Sequence, residues 1–297
     1  MTNHAKGELN HGLFRQLRQS YHAALFDRCI RVRGDGVPNM ADGASPASVE
    51  IARKMIGSLG GEIQEGSVTA QGVGAMFGEI TAEYLRYCFA KLAHIRPGDW
   101  NFSTLQGNAG ITKFSQYSHI TQLNEIMDKH PEIKASLGGD YLILPDIAVS
   151  RRSIADDEIN REEELLRDGD GCANRTALRN GNISGDPETL LASISLKWSL
   201  RSDRAQNART EALNLIRNRK GATPRIMVVT FEPLPARIAS IAMGTGDIDC
   251  TYHVALDELL EAAADVGKNE SHVEMLRTLT DGQRLRDISD LPFDLAS

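Results

Sequence analysis

Apolar and polar positions alternate most sharply between Ala192 and Leu200. Ala192, Ile194, Leu196, Trp198 and Leu200 fall on one side, Ser193, Ser195, Lys197 and Ser199 on the other. A period of two predicts a strand with one buried face, here over 191–200, and sets Ser195 and Lys197 together on a polar face. A helical pattern over 203–219 follows, with Arg201, Asp203 and Arg204 at its start and Glu211 two turns in. Upstream, a strand is expected at 141–149, where the apolar run LILPDIAV is interrupted by Pro145-Asp146. Further strands are expected at 226–232 and near 247–253.

The remaining pattern is mostly helical. Residues 13–30 and 49–60 predict helices, separated by a loop over 32–48 rich in glycine and proline. Phe77, Ile80, Tyr84, Leu85, Cys88, Phe89 and Leu92 trace one face of a helix over 77–94, which Pro97-Gly98 closes. Helices at 114–129 and 255–265 complete the set. Strands interleaved with helices predict an α/β fold with a central mixed β-sheet flanked by helices. No repeat or linker divides the chain, so residues 1–297 are expected to form a single domain.

Composition narrows the functional classes. The chain has 297 residues, 41% of them hydrophobic and 25% charged, as in ordinary globular proteins. Its longest apolar run falls short of the ~20 residues a membrane helix requires, and its polar N-terminus lacks a signal-peptide core. A cytoplasmic protein with no membrane partner is expected. Cys29, Cys88, Cys172 and Cys250 are dispersed without zinc-site spacing. The net charge is −7, yet between Lys197 and Arg237 nine basic residues stand against three acids. Residues 156–170 hold eight acids against two arginines. Such asymmetry suits a protein that holds DNA in one cleft and repels it elsewhere.

An aspartate on one strand, a lysine on the next and a glutamate on the following helix can support phosphodiester hydrolysis. That reaction needs an activated water and a sink for charge on the phosphate, and a divalent metal supplies much of both. Mg²⁺ takes hard oxygen ligands and keeps several waters, so one to three carboxylates suffice. Asp146 and Glu211 are the candidate metal ligands. Lys197 can orient the attacking water or offset charge at the phosphate. Each residue alone has an ordinary structural explanation, and Asp140, Asp156, Asp157, Asp247 and Asp249 compete on spacing. Arg201, Asp203 and Arg204 can read bases, since arginine pairs with guanine O6 and N7 and aspartate accepts from cytosine N4. They can equally form a capped helix start with a surface ion pair.

At these residues the chain resembles the PD-(D/E)xK type II restriction endonucleases that read CCGG-containing sites. Pro145-Asp146, Ser195-x-Lys197 and Glu211 match that branch's variant motif. There a serine replaces the usual acid before the lysine, and a glutamate on the next helix takes over its role. The likeness to one member is nearly continuous over HIRPGDW (94–100), KWSLRSDRAQNAR (197–209), IRNRKG (216–221), GTGDIDC (244–250) and DISDLPFDL (287–295). It is weak before residue 30 and around 160–190.

The resemblance implies a restriction-endonuclease-like fold and Mg²⁺-dependent cutting of double-stranded DNA at GCCGGC, leaving four-base 5′ overhangs. It assigns Arg201, Asp203 and Arg204 to the inner CCGG, Asp42 and Arg237 to the outer G·C pair, and Gln71 to the minor groove. It also implies a homotetramer, a dimer of dimers, and a cognate methyltransferase acting separately on the same site. One departure stands out. The family places a glutamate directly after the phenylalanine that here is Phe77, but this chain has Gly78 there and Glu79 one residue later. A one-residue shift turns a helical side chain by about 100°, so the position falls to Glu79, to Glu83 one turn on, or to neither. Two rival readings remain: a repair or junction nuclease of the same fold, and a DNA-binding protein that does not cut.

Overall fold

Glycines, prolines and apolar stripes divide the chain into the elements of an α/β fold. They are seen in a computed structural model that describes residues 12–66, 68–104, 110–130, 132, 145–167, 169–179, 188–200, 202–244, 246–266 and 270–297. In chain order the elements begin with helix α1 (Leu13–Arg28), strand β1 (Arg31–Val32), α2 (Pro46–Leu59), β2 (Gln64–Glu65), α3 (Ala70–Lys91) and β3 (Trp100–Ser103). Next come α4 (His119–Lys129), β4 (Ile147–Arg151), the short α5 (Asp156–Ile159), β5 (Thr189–Lys197) and α6 (Ser202–Asn218). The chain closes with β6 (Arg225–Thr230), α7 (Pro235–Ala242), β7 (Cys250–His253), α8 (Leu256–Asp265), α9 (Glu270–Asp281), β8 (Leu285–Asp287) and α10 (Leu291–Ala296).

Strands β3 to β8 form one mixed sheet in sequence order, the architecture expected. The β3–β4 and β4–β5 pairs are antiparallel, whereas β5 to β8 are mutually parallel. Helix α6 is the crossover that a parallel β5–β6 connection requires. β1 and β2 pair separately. No helix among the described residues is long and apolar enough to cross a membrane.

Three local expectations change. β5 is covered on both faces, because Ser193 and Ser195 are as deeply buried as Ile194 and Leu196. A Cβ added at Gly78 of α3 would lie 3.8 Å from Leu196 Cδ1, so the Leu196 side faces α3. The Ser195 side touches Glu211 of α6. A parallel strand between two helices has no solvent face, which is why alternation there marks chemistry rather than exposure. Helix α3 begins seven residues earlier than the apolar stripe suggested, where Thr69 accepts from the Gly72 amide at 3.1 Å. Residues 114–118 form turns rather than the start of α4. The short strands β3 and β8 carry too few residues to show a period. The upstream half of the strand expected at 141–149 lies outside the described residues.

Aromatic rings tie the sheet's end together. Phe77 of α3 meets Trp198 edge-on at 5.2 Å, Trp198 meets Phe231 at 5.2 Å, and Phe231 lies 5.9 Å from His253. At the other flank, Arg18 of α1 binds Glu258 of α8 at 2.7 and 2.8 Å and Asp287 of β8 at 2.8 and 2.9 Å. Burial opposes ionisation of Asp287, yet its bonds to Arg18 and Ser289 hold it below the usual carboxylate range. Arg18→Ala should therefore destabilise the fold by about 3 kcal/mol at neutral pH, since it strands two largely buried carboxylates. A depressed carboxylate contributes stability above its unfolded pKa and loses it as pH falls through the folded value. The deficit, measured from urea midpoints, should thus shrink in acid. A deficit independent of pH would mean that only packing was lost.

Candidate active site

The antiparallel register places Ile147 of β4 opposite Ile194 of β5, which brings Asp146, just before β4, beside Ser195. Pro145 precedes it and has no N–H to donate. Asp146 Oδ2 accepts from the Leu196 amide at 2.6 Å. Lys197, the last residue of β5, sets Nζ 3.6 Å from Asp146 Oδ2 and 3.5 Å from Glu211 Oε2. Ser195 Oγ donates to the same Glu211 oxygen at 2.9 Å. The spacing read from the sequence thus closes into one cluster of Asp146, Ser195, Lys197 and Glu211.

The cluster is open on one side only. The Asp146 side chain is 45% exposed, against 13% for Lys197 and 18% for Glu211. Burial raises the Glu211 carboxyl above its ordinary value and Asp146 adds to the rise, while Lys197 and Ser195 oppose it. Two carboxylates converging beside a buried ammonium make a hard-oxygen donor set. That set fits Mg²⁺, which keeps most of its waters and needs few protein ligands. Among the described residues no group of three or more His, Cys, Asp or Glu side chains is placed to hold a metal.

The other candidates divide. Glu79 is not brought to the cluster, which corrects the expectation of a catalytic role. It lies on the exposed side of α3, paired with Arg28 at 2.7 Å. Gly78 takes the inward position facing Leu196, and Glu83 is also exposed. Among the competing acids, Asp156 is held by Arg179, and Asp249 accepts from the Ile226 amide at the opposite end of the sheet. Asp140 lies outside the described residues. Arg201 does as well, and so do the side chains of Asp203 and Arg204, whose backbone opens α6. Gln71 is exposed on the first turn of α3. Asp42 and Arg237, separated by 195 positions, form an ion pair.

The described basic residues between Lys197 and Arg237 do not share one face. β5 and β6 are parallel, with Lys197 beside Thr230 at one end and Arg225 beside Ala192 at the other. Lys220 joins Arg96, Arg151, Arg152 and Arg175 around a cavity of about 640 Å³ at that far end. Arg209 and Arg219 bond to the carbonyls of Ser240 and Ile216.

One residue near the cluster escaped the sequence reading. Glu232 is wholly buried, accepting from the Leu200 amide at 2.6 Å and the Leu234 amide at 3.1 Å. Burial pushes its carboxyl up to about 7, against those two bonds and the nearby Arg237. The available signal was an acid set between apolar residues in VVTFEPLP.

The model of the family described as NgoMIV restriction enzyme matches residues 21–297. The type II restriction enzyme NgoMIV of Neisseria gonorrhoeae is 45% identical over 96% of this chain and 99% of its own. Among solved structures, the Bse634I restriction endonuclease aligns with a TM-score of 0.38 at 14% identity, over 74% of this chain and 78% of its own. The PspGI endonuclease, solved with substrate DNA, aligns with a TM-score of 0.27 at 14% identity, over 95% and 91%.

Calorimetric titration with Mg²⁺ separates the carboxylates. Glu211→Gln should weaken binding at least about tenfold, as loss of a charged ligand costs more than ~1.4 kcal/mol. Glu79→Gln should leave it unchanged. Protons compete for Glu211 above the ordinary carboxylate range, so wild-type affinity should begin to fall there as pH drops. A loss in Glu79→Gln equal to that in Glu211→Gln would return Glu79 to the site.

Proposed function

The chain belongs to the NgoMIV restriction enzyme family, and from that premise we propose that it is a type II restriction endonuclease cutting both DNA strands at GCCGGC with Mg²⁺, leaving four-base 5′ overhangs. The observation that carries the reading is the convergence of Asp146, Lys197 and Glu211 within 3.6 Å at the exit of β5. The near-complete match to a relative named as a type II restriction enzyme supports it.

Asp146 and Glu211 would hold the metal, with Asp146 as the ligand reached from solvent. When bound, Mg²⁺ supplies charge neutralisation at the phosphate and a more acidic water. The chain's own groups do the positioning. The Leu196 amide fixes one oxygen of Asp146, and the Ser195 hydroxyl fixes one oxygen of Glu211. Nζ of Lys197 offsets the charge that grows on the phosphate oxygens, in a setting screened from water. Asp203 and Arg204 open the helix that carries Glu211, and Arg201 precedes it in the sequence. In this reading they contact the inner CCGG by bidentate arginine–guanine bonds and an aspartate–cytosine bond. Arg237 and Asp42 read the outer pair, and Gln71 reaches the minor groove. A separate methyltransferase modifies the same site, and the enzyme works in the cytoplasm.

A palindrome presents identical half-sites, so cutting both strands at once needs at least a two-fold dimer. The family resemblance extends this to a homotetramer with two DNA clefts. Plasmid digestion with and without Mg²⁺, followed by sequencing of fragment ends, tests the activity. Cuts only at GCCGGC with 5′-CCGG ends are expected. Structure-dependent nicks would indicate a repair nuclease, and gel retardation without cutting a binding protein. The assembly has its own test. A plasmid with two sites should be cut faster than one with a single site, and added cognate oligonucleotide should speed the latter. Equal rates, with sedimentation as a dimer on cognate DNA, would overturn the tetramer.

A further inference from the structure

We infer that Glu232 is a positioning residue that fixes both base-reading arms against the catalytic strand. The inference rests on the base-reading roles proposed above. One Glu232 oxygen accepts from Leu200, the residue directly before Arg201 and three beyond Lys197. The other accepts from Leu234, the residue before α7, whose first turn carries Arg237. Arg237 Nη1 lies 3.9 Å from the first of these oxygens, and its other terminal nitrogen binds Asp42. One carboxylate therefore touches the root of the inner-pair arm, the root of the outer-pair arm and the outer-pair arginine itself.

Its backbone is tied to the same row of residues. The Glu232 amide donates to Thr230 Oγ1 at 3.2 Å, and Thr230 is the cross-strand partner of Lys197. The Glu232 carbonyl meets His253 Nε2 at 3.2 Å. A fully buried carboxylate is costly, and apolar packing would fill this space more cheaply. The two backbone donors go to different oxygens, which a carboxylate satisfies and the isosteric amide, with one acceptor and one donor end, does not. Trp198 and Phe231 pack edge-on beside these bonds, so a shift at Glu232 moves both strand exits together.

Glu232→Gln keeps the shape but turns a donor toward one of the two amides. The measurement is kcat/KM on GCCGGC against ACCGGT, and against a duplex altered within CCGG, with Mg²⁺ affinity and the unfolding midpoint of the same preparation. Discrimination at both positions should fall about tenfold or more, with Mg²⁺ affinity unchanged. A merely structural role would lower all three rates together and keep the ratios, which overturns the inference. Arg237→Ala is the companion variant. If it collapses outer-pair discrimination while Glu232→Gln does not, the hub fails and the base-reading assignment stands. If neither variant changes the ratios, both fail.

Should Glu232→Gln not fold, the wild-type protein supplies the same test. Glu232, held at about 7, gains a proton between about pH 8 and about pH 6. The charged and titratable groups facing it are Arg237 of α7, Asp42 before α2 and His253 of β7, the last pushed down to about 4 by burial and so neutral throughout. Discrimination should fall across that range, and ratios constant with pH would overturn the inference.

Discussion

The hydrogen bond from the Leu196 amide to Asp146 is where the sheet becomes a site. β4 and β5 pair through backbone groups up to Ile147 and Ile194, and beyond them a side-chain carboxylate takes the place of a carbonyl acceptor. Pro145 contributes no N–H to continue the ladder. That substitution anchors the one exposed carboxylate of the cluster to the strand that ends in Lys197. Ser195 and Lys197 are placed by β5, which is buried on both faces and keeps a single polar row toward α6. Because α3 covers the Leu196 side, charge can collect only on the Ser195 side, where Glu211 meets it.

Burial and charge pull against each other throughout this end of the molecule. Glu211 and Glu232 are both raised by burial, so each resists ionising in the fold. For Glu232 the sign of the linkage is plain: the folded chain takes up its proton first. Stability from that group is full below the ordinary carboxylate range and lost as pH rises through about 7. Arg18 works the other way, holding Asp287 and Glu258 ionised at the β8 edge of the sheet. The site therefore carries a stability cost at neutral pH, and the α1–α8–β8 clamp offsets part of it. Such a division is what a preorganised charged centre requires of its scaffold.

Part of the cluster was legible in the sequence, because strand alternation puts Ser195 and Lys197 in one row and the helix that follows brings Glu211 near them. Spacing alone left Asp146 in competition with other acids, and the family resemblance singled it out. The mixed sheet followed from the order of strands and helices. Two-sided burial of β5 was not legible, since a serine row reads as solvent-facing until the crossover helix is placed on it. Glu79 illustrates the opposite limit: one residue of offset on α3 sends it to Arg28 and leaves Gly78 inward. Glu232 showed only as an acid set among apolar residues. Its partners are the backbone amides of Leu200, just past β5, and of Leu234, two residues on, and no residue pattern pairs them with it. The basic run after Lys197 misled as a single surface because parallel strands send its members to opposite ends of the sheet.

Asp146 and Glu211 should share a cation beside Lys197 when DNA is bound, and a crystal structure with a GCCGGC duplex and Ca²⁺, which occupies oxygen sites of this kind, would show it. The expected cation has oxygens of both Asp146 and Glu211 at about 2.3–2.6 Å, with Nζ of Lys197 beside the phosphate 5′ to the first cytosine of CCGG. A cation held by other residues, or Glu211 turned away from it with the duplex in place, would overturn these roles.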